Sequence, residues 1–340
     1  MTHARRHPAT LAGLTVVAAL AAAAIAAPTL AQSPAADGNY TVHFGFPSGN
    51  REQPAGSAAD VWAIKQGYFD EAFKDAGITL DNAPFLGAGP AINEALIGNS
   101  LDVAIYADTA GVLGKTAGAD TSLVAIDQPF TPAWLVVKSD SPITSVADLK
   151  GKTVGTIKAT FPHRVLLSAL AANGLTQDDI NFVNLSLPDS EVALDAGQVD
   201  AIVTLGINAE RLFTKGTVKP IFATADVPET AGISVIVAQN AFLDAHPGFF
   251  PAYLAARAKA VEWANANRDE ALQILAESDQ ATPEEEAALY PTFDFTPAIT
   301  PEILARIAAT DQFLVDQGLA PAPLDLQSWV SNAAGQAPQP

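Results

Sequence analysis

The sequence predicts an α/β protein built as a clam-shell, two β/α lobes joined by two crossing strands. Three observations carry this. Short apolar runs alternate with amphipathic stretches along most of the chain. Two further apolar runs follow proline-bearing turns and stand outside that alternation. The length of 340 residues also exceeds what one hydrophobic core usually supports.

The chain opens with Arg5 and Arg6, then a mostly alanine apolar stretch from Leu11 to Ala27, then Thr29-Leu30-Ala31 before Gln32. This basic, apolar, small-residue layout is that of a secretory signal peptide over residues 1–31. The stretch is too short and too poor in leucine to read as a membrane anchor. The arginine pair lacks the surroundings of a twin-arginine signal, so the general secretory route is expected. There is no cysteine. That excludes disulfides, thiolate zinc sites, cysteine nucleophiles and a lipid anchor, and leaves a free periplasmic protein as the expectation. Losing the leader removes two basic residues and no acids, which moves the formal charge from −19 to −21. So acidic a surface repels nucleic acid and anionic lipid, and neither is expected as a partner.

Strands are expected at Thr41–Phe46, Thr79–Phe85, Asp102–Ala107 and Ser122–Gln128, with helices at Ala58–Gln66, Pro90–Ile97 and Thr109–Ala117 between them. Ser57 and Asp60, three residues apart before Val61 and Ile64, read as a capping box, and Asp108 reads as the N-cap of the helix after it. Ala133–Lys138 is an isolated apolar run after Gln128-Pro129-Phe130-Thr131-Pro132, and is expected to be the first crossing between lobes. A second β/α series runs through Thr153–Ile157, His163–Ala172, Ile180–Leu185, Ser190–Ala196, Asp200–Leu205, Ala209–Lys215 and Lys219–Ala223. Ile233–Ala238 is the expected return crossing. Apolar stripes then mark helices over Tyr253–Ala264 and Ile303–Val315, followed by a segment whose Trp329 should dock it. The expected organisation is therefore lobe 1 over 38–130 and 233–330, lobe 2 over 131–232, and a disordered tail over 331–340.

Several strings occur in one order: Lys65-Gln66-Gly67-Tyr68-Phe69, Gly89-Pro90 with Glu94-Ala95-Leu96, Leu101-Asp102-Val103-Ala104, Ser139-Asp140-Ser141-Pro142-Ile143, Asp148-Leu149-Lys150-Gly151-Lys152-Thr153-Val154 and Gly197-Gln198-Val199-Asp200-Ala201. Together they resemble the nitrate/taurine/aliphatic-sulfonate family of ABC-transporter substrate-binding proteins. The resemblance covers roughly Thr41 to Pro247. It implies a type II periplasmic-binding-protein fold, capture of a small anionic ligand, delivery to an inner-membrane ABC permease, no cofactor, and a monomer. The loops nearest the expected cleft depart from the family pattern. Ala88-Gly89-Pro90 stands where Ser-Gly-Pro is common, Lys158 to His163 replaces a serine-rich loop, and Leu205-Gly206-Ile207 replaces Trp-Asp-Pro. The scaffold is thus read as inherited and the pocket as rebuilt. A sulfonate or taurine-like anion follows the family, whereas a bulkier aromatic anion or a thiamine-pyrimidine precursor follows the departures.

Ligands of open α/β sheets bind beyond the carboxyl ends of the strands, where loops meet helix N-termini. Gly87-Ala88-Gly89-Pro90 is such a turn, and Gly89 would let backbone approach a ligand. Thr109 follows the next strand. In the second lobe Thr160 and His163 could donate hydrogen bonds while Phe161 packs on an apolar tail, and Asn208 lies in the loop after. Arg51 could offer a bidentate fork from a long first loop. Trp134, on the first crossing, could stack on a ligand. A metal site is not expected from the three histidines beyond the leader. Nor does the chain carry a Gly-x-Ser-x-Gly elbow, a P-loop or a His-Glu-x-x-His motif, so a binding protein is expected rather than an enzyme.

Overall fold

The computed structural model describes residues 39–48, 52–85, 88–291, 295 and 298–333. The expected signal peptide, Arg51 and most of the expected tail lie outside the described residues.

The first lobe begins with β1 (Tyr40–Pro47), α1 (Ala58–Lys65), α2 (Tyr68–Phe73), β2 (Ile78–Phe85), α3 (Ala88–Ile97), β3 (Val103–Ala107), α4 (Asp108–Thr116) and β4 (Thr121–Thr131). The second holds β5 (Ala133–Lys138), β6 (Thr153–Thr156), α5 (Phe161–Ala172), β7 (Asn181–Asn184), α6 (Leu187–Asp195), β8 (Ala201–Leu205), α7 (Gly206–Thr214) and β9 (Val218–Ala223). The chain then returns through β10 (Gly232–Gln239), α8 (Asn240–Ala245), α9 (Phe249–Ala266), α10 (Arg268–Asp279), α11 (Pro283–Leu289), α12 (Pro301–Asp316) and α13 (Leu326–Trp329). Among the described residues no helix is long and apolar enough to cross a membrane.

The two five-stranded sheets share one plan. Their orders are β2-β1-β3-β10-β4 and β7-β6-β8-β5-β9, parallel over the first three strands. In each sheet the fourth strand is antiparallel to both neighbours. The two apolar runs expected as crossings are therefore full members of the sheets. β5 pairs with β8 and β9, and β10 with β3 and β4. The reason is physical: a mostly apolar strand lowers its free energy most where sheet partners satisfy its backbone and helices cover both faces. The crossings are shorter. Pro132 alone separates β4 from β5, and residues 224–231 link β9 to β10. Thr224 ties the two, its hydroxyl accepting the Ala133 N–H at 2.9 Å and its own N–H donating to the Ala133 carbonyl at 3.0 Å.

Each sheet buries both faces. In lobe 1, α1, α2 and α9 cover one face through stacked rings of Phe69, Phe73, Phe249 and Tyr253, with Phe44 of β1 tilted against Tyr253. On the other, α3, α4 and α12 enclose Ile92, Leu96, Ile126 and Ile307, and Trp329 closes that core with no exposed surface. The docking expected of the Trp329 segment is thus observed, reinforced by a Leu123–Val330 bridge. In lobe 2, α5 covers one face and α6 with α7 the other.

Two expected caps differ. Ser57 does occupy the N-cap of α1, but its hydroxyl donates to Asp127 at 2.6 Å rather than capping, and Asp60 pairs with Arg257. A buried arginine outcompetes a peptide N–H for these oxygens because it would otherwise be left uncompensated. The N-cap of α4 is Ala107. Asp108 is the first helical residue, accepting from the Thr109 N–H at 2.8 Å and the Thr310 hydroxyl at 2.7 Å.

Candidate functional site

A cavity of about 930 Å3 lies between the two sheets. Its walls are where strands end and helices begin. Ala88 and Gly89 open α3, Thr160 to Pro162 open α5, Leu187 and Pro188 open α6, and Leu205 to Ile207 open α7. Helix beginnings present N–H groups without intrahelical partners and the positive end of the helix dipole. Four of them facing one space form an environment suited to an anion. Two alanines beside these turns, Ala88 (φ 52°) and Ala159 (φ 58°), hold the left-handed conformation that usually calls for glycine. Rings of Phe130, Trp134, Phe161 and Tyr290 supply the apolar wall.

The residues singled out by sequence divide into two groups. Gly89, Trp134, Thr160, Phe161 and Asn208 line the cavity. At Gly89 a Cβ would sit 2.5 Å from that of Ala110, so the close approach of α3 to α4 also requires glycine. Trp134 rests edge-on against Phe213 at 5.4 Å. The Thr160 hydroxyl is engaged locally, donating to the Ile157 carbonyl at 2.6 Å, and Asn208 accepts from Arg211 at 3.2 Å.

Thr109 and His163 do not line the cavity. Thr109 is fully buried between α4 and α5, where its hydroxyl accepts from Nε of Arg164 at 3.2 Å. His163 points into lobe 2. Its Nε2 lies 2.7 Å from the side-chain amide oxygen Oε1 of Gln177, its Nδ1 accepts the Ala159 N–H at 3.3 Å, and its ring packs on Phe182 at 5.1 Å. Burial pulls its pKa below the usual imidazole value, against the opposing Gln177 bond, so the ring is neutral at pH 7. The physical cause of both placements is helical phase, since successive residues turn by about 100°. On α5 Phe161 and Pro162 line the cavity while His163 turns inward, and on α4 Ala110 lines it while Thr109 turns away.

Sequence reasoning missed Arg211, which reaches from α7 across to the other lobe. Its guanidinium donates to the carbonyls of Asp279 and Gln280 at the end of α10, the latter at 2.9 Å. It also missed the floor of the cavity. Asp127 there accepts from Ser57, from Ser234 at 2.9 Å and from Arg257. Arg257 also holds Asp60 at 2.8 Å, and Tyr253 donates to Asp60 at 2.7 Å. Burial raises Asp60 to about 6 despite Arg257, whereas burial works against the Arg257 charge and is outweighed by Asp60, Tyr253 and Asp127. Glu191, Glu210 and Asp279 line the cavity as well, each with its pKa raised chiefly by burial. The one legible signal was placement: Arg211 lies on the helix that follows an expected lobe 2 strand, in its last turn.

The family model described as NMT1/THI5 like matches residues 56–271, which take in the whole second sheet and every strand of the first except β1. The chain belongs to that family. A protein of Escherichia coli (strain K12) named as an aliphatic sulfonates-binding protein is 28% identical over 263 residues, covering 77% of this chain and 80% of that one. The alkanesulfonate-binding protein SsuA from Xanthomonas axonopodis pv. citri, solved bound to MOPS, superimposes with a TM-score of 0.74 at 22% identity, over 86% of this chain and 98% of that one. The desulfurization enzyme DSZB shares the fold with a TM-score of 0.65 at 20% identity, over 86% and 96% of the two chains. Proteins similar to this chain thus include one named as a sulfonate-binding protein, and the shared fold also serves an enzyme.

Proposed function

We propose that this chain is the periplasmic solute-binding component of an ABC importer, capturing a small organic sulfonate between its lobes and presenting it to a permease. The observation that carries this reading is the convergence of four helix beginnings on one interlobe cavity. On a chain with a formal charge of −19, such local dipoles are the means of holding an anion that the global field opposes. The proposed wall is Gly89, Trp134, Thr160, Phe161 and Asn208, joined by Arg211. Arg51 remains a candidate from the first loop. The lobes are taken as 38–130 with 233–330, and 131–232. They hinge about Pro132 and residues 224–231, which suits a clam-shell closing on its ligand. The chain acts as a monomer and binds without catalysis.

Two features support a second reading, in which the ligand is ring-bearing or carries an amine. A cavity of about 930 Å3 with four aromatic side chains on its wall is larger than a short alkylsulfonate needs. The carboxylates Glu191, Glu210 and Asp279 also offer a counter-charge to an ammonium group. The test is thermal unfolding against methanesulfonate, longer alkylsulfonates, taurine, aryl sulfonates, nitrate and pyrimidines. A ligand that binds only the folded form raises the melting temperature, by about 2.7 kcal/mol of stability at a hundredfold excess over Kd. A shift with short alkylsulfonates is the expected result. A shift confined to aromatic or pyrimidine compounds moves the specificity to the second reading. No shift with any sulfonate removes the sulfonate assignment.

A further inference from the structure

Away from the connecting segments the lobes meet where α7 of lobe 2 packs on α11 of lobe 1. Arg211 forms the polar clasp of this contact, and its donors go to the carbonyls of Asp279 and Gln280 and to Asn208. Within the same contact Glu286 on α11 is completely buried, and neither of its carboxyl oxygens has a hydrogen-bond partner. The charged groups acting on it come from every element around it. Asp279 comes from α10, Arg211 from α7 and Glu285 from α11 itself, and Glu285 also adds to the effect of burial on Glu210 of α7. Among the groups acting on Glu286 carboxylates thus outnumber cations, and the guanidinium of Arg211 is committed to oxygens other than those of Glu286. A buried, unpaired carboxylate is tolerated only in its neutral form.

We infer that Glu286 makes lobe closure proton-linked: closing the clam-shell takes up a proton at this carboxyl, and opening releases it. Opening withdraws α7 from α11 and returns water to the side chain. With α7 packed on α11, as in this structure, burial and then Asp279 hold its pKa at about 8, against the opposing pull of Arg211. Hydrated in the open form, it ionises in the ordinary carboxylate range. The closed form therefore binds the extra proton between those two limits. Closure is favoured at the acid end of that window, and the advantage is lost as pH rises through about 8. A more acid medium thus biases the protein towards its ligand-holding form, and a more alkaline one towards release.

The chain has no cysteine, so two introduced thiols can be labelled without background. Val192→Cys on α6 and Ile97→Cys on α3 replace exposed apolar side chains, one in each lobe. Interlobe distances are then measured by pulsed electron paramagnetic resonance from pH 5 to pH 9, without ligand, so the outcome does not depend on what the cleft binds. In the doubly labelled parent the closed-to-open ratio should fall by at least about tenfold as pH rises, the change that one unit of displaced titration produces. Adding Glu286→Gln should flatten that profile at its acid-end value. A parent ratio that does not change with pH overturns the inference, even if the glutamine variant fails to fold. A glutamine variant that keeps the parent's slope overturns it equally, because the titration would then belong to other carboxylates.

Discussion

Arg257 shows how much of the cavity floor depends on a single side chain. It is 4% exposed and stands between Asp60 and Asp127, which are buried as deeply. Replacing it with methionine keeps most of the volume but leaves two carboxyls without a counter-charge. Arg257→Met should therefore destabilise the protein by about 3–5 kcal/mol, measured by denaturant titration, because breaking one side of a buried pair costs far more than the pair itself contributes. Ala88 presents the opposite case. Its φ of 52° costs about 1–2 kcal/mol in an L-residue, so Ala88→Gly should recover much of that in the same titration. At this scale legibility depended on helical phase. Thr160 and Phe161 were found at the cavity, but His163 of the same loop faces Gln177 and Phe182 inside lobe 2. Spacing brings a residue to the right loop, and only packing decides which way it turns. Arg211 was missed for a related reason: its partners, the carbonyls of Asp279 and Gln280, lie far along the chain.

Elements were more legible than residues, since period-2 and period-3.6 patterns are local. The parallel strands and their intervening helices follow directly from such patterns. β5 and β10 did not. An apolar run after a proline turn reads the same whether it links lobes or joins a sheet, and the difference lies in strands remote in sequence. Trp329 illustrates what a short terminal element can contribute. α13 is only four residues long, yet its indole fills the core beneath Gly111, where an added Cβ would lie 3.0 Å from the ring. Trp329→Ala should cost about 3–5 kcal/mol, and Gly111→Ala about 1–3 kcal/mol through overpacking, both read from unfolding midpoints.

At the scale of the molecule the two lobes act through their contact. Arg211→Ala removes the clasp without touching the core of either lobe. It should lower affinity for whichever sulfonate raises the melting temperature by roughly tenfold or more, measured by calorimetry, since a hydrogen-bonded charge contributes about 1.5–3 kcal/mol. The pH dependence belongs here too. A carboxyl whose pKa is raised by burial supports the compact form at low pH and opposes it once ionised. Glu286→Gln should accordingly raise the melting temperature most at pH 9 and progressively less towards the ordinary carboxylate range, where glutamate is neutral in both folded and unfolded chains. The acidic charge and the two-lobed plan were visible in composition and length. The clasp was not, because it exists only between surfaces that the sequence keeps apart.

The position of β10 has a consequence for how the chain reaches this form. β10 lies between β3 and β4, yet it follows the whole of lobe 2 in the chain. A polypeptide emerging from its N-terminus therefore offers β3 and β4 before the strand that joins them exists. Lobe 2, whose five strands are contiguous from β5 to β9, can complete its sheet in the meantime. Lobe 1 must hold open a gap one strand wide until residues 232–239 arrive. Such late, long-range pairing is slow and leaves strand edges exposed. Maturation is thus ordered by the insertion of a single strand, with the inner lobe finished first and the outer one sealed last.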